Sequence, residues 1–374
     1  MTEFPLSGHV ATGFEPVRDA FEANFDGDGE LGAGFAVLLD GETIVDLLGG
    51  WADRKMEKRW DERTLVPVYS TTKGISALVL AAVIAGLDDG YETPISEFWP
   101  EFAAESKGAV TIGQFVSHQA GLPGFINEID PEIWLDPPAC AAALAALPPM
   151  WPPGTAHGYH PTTWGYVVGE MFRRISGVTL GTWLRENVCS PANIDFHIGL
   201  PASEHDRCAD IKRPTALPAI GEMTDPKKAA FGTKWSSPNR GGAIWREIEI
   251  PSANGHGTAA SVAALYDAYA HRGAVAGKAL MSDDAFASLI RSRVDGPDLV
   301  LNMSTSFGAG IMRNTHGFFG PNPDTIGHCG WGGSMAIGDP DRRLTCAYVM
   351  NKQSNVLVGD PRAAQLVNAV YGCL

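Results

Sequence analysis

Ser70-Thr71-Thr72-Lys73, followed almost at once by the apolar run Ile75 to Leu87, is the stretch of this 374-residue chain on which the fold turns. Residues three apart on a helix share a face, so a helix opening at Ser70 and running to Ala85 sets the Lys73 amine beside the Ser70 hydroxyl. The run is shorter than the roughly 20 apolar residues a bilayer requires, so it belongs inside protein. A serine hydroxyl attacks carbon only after a base has taken its proton. An ammonium forced into an apolar, cation-rich pocket can give up its own proton and become that base. The helix N-terminus adds a field that favours developing negative charge. The same four residues also describe an N-cap serine followed by a lysine with a snorkelling stem, so their surroundings decide between the two.

Outward from that helix, Gly34 to Leu39 and Thr43 to Leu48 are apolar runs joined by Asp40-Gly41, a pair suited to the positive φ angles of a tight hairpin. Ser334 to Gly338 and Leu344 to Asn351 flank Asp339-Pro340-Asp341 and predict a second antiparallel pair. Asp360-Pro361 is an N-cap with proline at the first helical position, and Ala363, Leu366, Val367 and Val370 share a face behind it. Between these ends the period becomes helical. Trp164, Val167, Val168, Met171, Phe172 and Ile175 form a stripe stopped by Gly177, and a second runs from Thr258 through Leu265 and Tyr269 to Gly273. A short helix, Ala139 to Leu147, is punctuated by prolines. The expectation is an α+β fold: an antiparallel sheet flanked by helices from residues 1–87 and 241–374, and a mainly helical domain over 88–240.

Composition narrows the function classes. Hydrophobic residues make up 45% and charged ones 19%, which excludes a disordered or multi-span membrane chain. Lys and Arg total 28 against 43 Asp and Glu, and a formal charge of -15 repels phosphate backbones, so no nucleic-acid partner is expected. Six cysteines stand far apart with no C-x-x-C pair, as reduced thiols do. The opening MTEFPLSGHV has neither a basic nor an apolar signal region, so the expected location is cytoplasmic.

The surroundings of Ser70 are set by Pro153-Gly154-Thr155-Ala156-His157-Gly158-Tyr159 and by His328-Cys329-Gly330. With S-x-x-K first, P-G-(x)4-Y second and the His-Cys-Gly element third, the chain resembles the serine β-lactamase and penicillin-binding-protein superfamily. The resemblance covers nearly its whole length and is strongest to class C β-lactamases and family VIII carboxylesterases. Ser117-His118-Gln119-Ala120-Gly121-Leu122-Pro123 and Asn254-Gly255-His256-Gly257-Thr258 look like phrases of the esterase-type members. The resemblance implies a β-lactamase/transpeptidase-like fold, Ser70 as nucleophile, and Lys73 and Tyr159 as the proton-transfer pair. It also implies the backbone N–H groups of Ser70 and Trp331 as oxyanion hole, Gly330 allowing close approach, and His328-Cys329-Gly330 on the sheet's edge strand in place of the lactamases' K-T-G.

Two departures bear on substrate. The lactamase Y-x-N becomes Tyr159-His160-Pro161, which removes the amide that would meet a β-lactam side chain, and His328 replaces a permanent cation by a group with an ordinary pKa near 6.5. Both favour a neutral ester, and His328 is placed to hydrogen-bond the tyrosine. The expected function is a serine carboxylesterase acting on short-chain acyl esters, without metal or cofactor. A β-lactamase or amidase with the same acyl-enzyme chemistry, or a non-hydrolytic penicillin-recognising protein, are the alternatives. The expected partner is a small-molecule ester, with no membrane; a homo-oligomer is compatible with the sequence. Other readings fare worse. Gly255-His256-Gly257-Thr258-Ala259-Ala260 reads G-x-G-x-x-A before a helix, but Glu247 to Pro251 is too charged and proline-broken for the strand it needs. No G-x-S-x-G elbow occurs, and His157 with His160 lacks a third nearby metal ligand.

Overall fold

The computed structural model describes residues 4–27, 29–216, 218–232, 234–236 and 241–374. Its main sheet has nine strands: β1 (Leu6–Val10), β2 (Gly32–Leu39), β3 (Glu42–Gly50), β4 (Val294–Pro297), β5 (Ser304–Phe307), β6 (Met312–Arg313), β7 (Ile326–Cys329), β8 (Met335–Asp339) and β9 (Leu344–Met350). They run antiparallel in the order β1-β3-β2-β9-β8-β7-β6-β5-β4. Asp40 and Gly41 adopt φ of 54° and 82°, the two positive values that close the β2–β3 hairpin with a twist matching its strands. Ala33 lies opposite Met350 and Leu39 opposite Leu344, so the two ends of the chain meet at the sheet centre.

Successive side chains on a strand face opposite ways, and the two faces of β2 bury different cores. Phe35 and Val37 join Val17 and Phe21 of helix Glu15–Ala23 and Leu366 of helix Pro361–Gly372. Ala36 and Leu38 join the cluster holding helix Thr72–Ile84 and helix Ala259–Ala270. Helix Thr163–Ser176 ends on Gly177 at φ 79°, and helix Pro361–Gly372 starts where the Asp360 carboxylate accepts the Arg362 N–H, both as the sequence predicts. The proline-flanked helix spans Pro137–Ala145 rather than 139–147. Asp136 caps it, so two prolines fill a first turn whose N–H groups have no helical partner, and Leu147, directly before Pro148, cannot stay helical. Between residues 88 and 240 the described elements are helices and helical turns except for the strand Phe196–Ile198. That strand joins Gly255–Gly257 and Val66–Pro67 in a small three-stranded sheet behind Ser70. No helix of the described residues is long and apolar enough to cross a membrane.

Candidate active site

Ser70 does not open the α-helix directly. Tyr69–Thr71 forms a 3-10 turn and the α-helix follows from Thr72. Tyr69 sits at φ 47°, a conformation that costs a bulky residue free energy and persists only when its surroundings over-determine it. Here they do. The Thr71 N–H donates to Val68 O at 3.1 Å, the Val68 N–H to Gly255 O at 2.8 Å, and the Tyr266 hydroxyl to Thr71 O at 2.7 Å. The Tyr69 ring lies 6.2 Å from that of Trp245 and 5.9 Å from that of Trp331.

Lys73 is wholly buried one helical turn further on. Its Nζ lies 3.3 Å from Ser70 Oγ, 2.7 Å from Pro161 O and 3.1 Å from Ser252 O, and stands 4.8 Å from the centre of the Tyr159 ring. Two of these acceptors are backbone carbonyls, which can only receive protons. The amine therefore sits between two carbonyl acceptors and the Ser70 hydroxyl, in hydrogen-bond contact with all three. The carbonyls come from the segment after Tyr159 and from the loop before Gly255, each anchored in turn: Ser252 Oγ donates to Thr162 O at 3.1 Å and Ser76 Oγ to Pro251 O at 2.6 Å.

Tyr159 is buried and lines one cavity with Ser70; burial raises its pKa above the ordinary phenol value, so it rests protonated. Its ring stacks on Phe307 at 6.1 Å and meets the edge of His118 at 4.8 Å. Its backbone N–H donates at 2.9 Å to Asp298, whose Oδ1 also accepts the N–H groups of Val300 and Leu301, both at 2.8 Å. Behind it, His160 donates from Nδ1 to Gly158 O at 2.6 Å and accepts the Leu122 N–H on Nε2 at 2.9 Å, which fixes a neutral imidazole. His118 accepts the His160 N–H at 3.2 Å, and His157 meets Thr305 Oγ1 at 2.9 Å. Burial holds His118, His157 and His160 below the ordinary histidine value, His160 at about 3.

The third element departs from expectation in two ways. β7 is not an edge strand of the sheet, because Ile326 and Gly327 pair with β6. Only from His328 onward is it unpaired on that side, and there it borders the cleft. His328 makes no hydrogen bond to Tyr159: its Nδ1–H donates to Cys329 O at 2.8 Å, and the two rings lie 6.1 Å apart. Burial, then the charge of Lys73, lowers its pKa to about 3. Gly330 follows, where a Cβ would lie 2.3 Å from Val68 O and 2.1 Å from Ser334 Oγ. The strand turn therefore touches the nucleophile turn backbone to backbone. Trp331 comes next, its carbonyl accepting from Gln353 Nε2 at 3.1 Å, while Arg362 donates to Gly332 O at 2.7 Å.

Ser70, Tyr159, His328 and Trp331 line one cavity of about 660 Å³, closed by Pro218 to Gly221, Met223, Phe231, Met312 and Leu357. Among the described residues no group of three or more His, Cys, Asp or Glu side chains is placed to hold a metal ion. The three landmarks of the sequence thus converge, in chain order, on one apolar chamber. The family model for Beta-lactamase matches residues 17–369. The chain belongs to the beta-lactamase family. Esterase/beta-lactamase LipL of Mycobacterium tuberculosis is 32% identical over 360 residues, 92% of this chain and 82% of that protein. A penicillin-binding protein homologue from Caulobacter crescentus superposes with a TM-score of 0.96 at 49% identity, covering 99% of this chain and 100% of that one. A family VIII carboxylesterase gives a TM-score of 0.90 at 38% identity with the same coverage. This member of the beta-lactamase family is a hydrolase of the esterase and beta-lactamase kind, with the β-lactamase/transpeptidase-like fold.

Within this beta-lactamase-family site, Lys73 lies against Ser70 and the Tyr159 ring, Trp331 lines the same cavity, and Gly330 packs on the turn that carries Ser70. Sequence reasoning gave no role to Asp298, Ser252 or Arg362. Asp298 carries no local signal. Arg362 stands two residues behind the readable Asp360 cap, and the carbonyls of Pro161 and Ser252 are backbone groups that no residue pattern marks.

Proposed function

We propose that this chain is a serine carboxylesterase that hydrolyses short-chain, uncharged acyl esters through an acyl-enzyme on Ser70. The observation that carries it is the placement of the buried Lys73 amine, held by two carbonyls, 3.3 Å from the Oγ of Ser70, which lines a mostly apolar cavity. Ser70 Oγ forms a bond to the acyl carbon while its proton passes to Lys73 Nζ. Tyr159, lining the cavity with Ser70 and kept protonated by burial, hands its proton to the departing alkoxide as the C–O bond breaks and is resupplied from Lys73. Water then attacks the acyl-enzyme with the same pair taking its proton and returning one to Ser70 Oγ as the acyl–Oγ bond breaks, which releases the acid. The Ser70 and Trp331 N–H groups hold the oxyanion, each a contribution of about 10²–10³ in rate.

The walls support an uncharged substrate: no Asp, Glu, Lys or Arg is among the described lining residues, and His328 is neutral. All six cysteines are free, which supports a reducing, cytoplasmic setting. The domain division at residues 88 and 240 belongs to the same proposal, with the helical part supplying Tyr159 and the cavity roof. The test is mass spectrometry after mixing with p-nitrophenyl butyrate. An acyl adduct on Ser70, absent from Ser70→Ala and followed by multiple turnover, is the expected result. Labelling without turnover would identify a binding protein, and a higher kcat/KM for nitrocefin than for the ester would identify a β-lactamase.

A further inference from the structure

Asp298 directly follows strand β4, and its side chain has no surface open to solvent. A charge taken out of water is costly unless hydrogen bonds replace the water. Here four donors do so. Oδ1 accepts the N–H groups of Val300 and Leu301, both at 2.8 Å, and that of Tyr159 at 2.9 Å, while Oδ2 accepts the Thr305 hydroxyl at 3.1 Å. That hydroxyl has one proton and gives it to Asp298, so His157 Nε2–H donates to Thr305 Oγ1 at 2.9 Å. The bonds to Val300 and Leu301 are those an aspartate makes to close its own turn. The bond to Tyr159 is different in kind, because it spans 139 residues of sequence.

It reaches the backbone that carries the phenol. Tyr159 lines the cavity together with Ser70 and Leu301, and the Phe307 ring stacked on it at 6.1 Å belongs to the same strand, β5, as Thr305. A second link, from the Leu299 N–H to His157 O at 3.0 Å, ties the turn to the same segment. The phenol hydroxyl lies at the far end of its side chain, so a small rotation of the Tyr159 backbone swings it by about 1 Å, and a misplacement of that size costs about 10²-fold in rate. Resting on the esterase reading above, we propose that Asp298 is the positioning residue for Tyr159: its carboxylate holds the backbone from which the phenol reaches the leaving oxygen, so that proton delivery to the departing alkoxide depends on it. Asp298 stands outside the described cavity lining and exchanges no proton. The bond that breaks is the ester C–O bond, and the proton that moves is that of Tyr159.

The experiment compares kcat/KM, which reports the steps through acylation, for ethyl butyrate and p-nitrophenyl butyrate. Both esters give the same acyl-enzyme, but ethoxide needs the Tyr159 proton to depart and p-nitrophenolate does not. In Asp298→Ala, kcat/KM for ethyl butyrate is expected to fall by about 10²-fold and that for p-nitrophenyl butyrate by less than about tenfold, which shifts the ratio of the two by about tenfold or more. A merely structural role would lower both alike and leave the ratio unmoved. Asp298→Asn keeps an oxygen for the Tyr159 N–H and should hold the wild-type ratio, whereas Tyr159→Phe, which removes the phenol, should shift it at least as far as Asp298→Ala. Should Asp298→Ala fail to fold, Asp298→Ser takes its place, since a serine hydroxyl can close the turn but ends short of the carboxylate oxygens. An unmoved ratio in the Asp298 variant while Tyr159→Phe shifts it overturns this inference alone, as does an asparagine variant shifted as far as the alanine one. A ratio unmoved in Tyr159→Phe removes the proton-delivery role and this inference with it. Failure of the wild-type enzyme to cleave either ester overturns the esterase reading as well.

Discussion

Replacing Lys73 by methionine removes the proposed base while keeping most of the buried stem. Lys73 Nζ touches Ser70 Oγ, Pro161 O and Ser252 O, so Lys73→Met removes the one basic group among these contacts, the group that takes the Ser70 proton in the proposed mechanism. Tyr159 cannot take over, because burial keeps its phenol protonated at neutral pH. General-base catalysis contributes about 10²–10⁴ in rate. With its partner phenol unable to substitute, the upper part applies, and kcat for p-nitrophenyl butyrate should fall by about 10³–10⁴. That is about 4–5 kcal/mol of barrier. Two carbonyls lose a donor at roughly 1–3 kcal/mol each, opposed by relief from burying an amine, so the variant should fold, as circular dichroism will verify. Lys73→Arg sharpens the test: it keeps a cation and its N–H donors but has no lone pair to offer, and should lose as much activity as Lys73→Met. Either variant keeping more than a tenth of the wild-type kcat would refute the argument, and activity in the arginine variant alone would reduce Lys73 to an electrostatic role.

Three further outcomes are expected. Gly330→Ala drives a Cβ to 2.3 Å from Val68 O, a backbone atom that cannot retreat without moving Ser70; overpacking of this kind costs about 1–3 kcal/mol, so both the melting temperature and kcat should drop, and an unchanged kcat would separate this contact from catalysis. Arg362→Lys gives up the planar fork that reaches Gly332 O at 2.7 Å and Lys352 O at 2.9 Å; as a positioning residue for the Trp331 N–H, it should lower kcat by about tenfold with little change in KM and raise the carbonyl stretching frequency of the acyl-enzyme, whereas a purely structural role would leave that frequency unmoved. Burial pushes the pKa of His160, His256 and His328 down to about 3, so below an unfolded value near 6.5 the unfolded chain binds more protons and stability falls as pH drops toward 3; at pH 5 each contributes about 2 kcal/mol, and in urea titrations His256→Gln should lose about 2 kcal/mol less than wild type between pH 7 and pH 5, an identical loss contradicting the assignment.

Legibility followed the range of each interaction. The Asp40-Gly41 hairpin, the Asp360-Pro361 cap and the Gly177 stop were readable because each is decided within a few residues by backbone torsion or a single hydrogen bond. The Ser70 and Lys73 pair was readable because a three-residue spacing brings the two side chains together in the 3-10 turn leading into the helix much as it would within one. What sequence could not show depends on contacts across the chain. The 3-10 turn at Ser70 exists because Tyr266 and Gly255, nearly 200 residues later, hold it in place. His328 looked able to reach Tyr159, yet the nearer carbonyl of Cys329 captured its proton. The edge-strand expectation failed because the short strand Met312–Arg313 covers β7 only as far as Gly327, and pairing over two residues leaves little trace in a sequence.

These long-range contacts also explain why the site tolerates so many histidines. His118, His160 and His328 stand close enough to Lys73 for its charge to lower their pKa values, and burial lowers them further. A second cation about 6 Å from Lys73 at an effective dielectric of 20 would cost roughly 3 kcal/mol. The imidazoles therefore stay neutral and act through fixed hydrogen bonds. His160 joins the Leu122 loop to Gly158, and His118 receives the His160 N–H, so the segment carrying Tyr159 is locked without adding charge. Around neutral pH these histidines therefore hold no proton to pass to Lys73, and the proposed exchange among Lys73, Ser70 and Tyr159 needs no histidine relay. A chain of net charge -15 thereby keeps a reaction chamber whose described walls carry no formal charge. A lysine in place of His328 would put a second ammonium beside the first, attracting anionic substrates while opposing protonation of the base, so substrate charge and base strength are coupled through that one position.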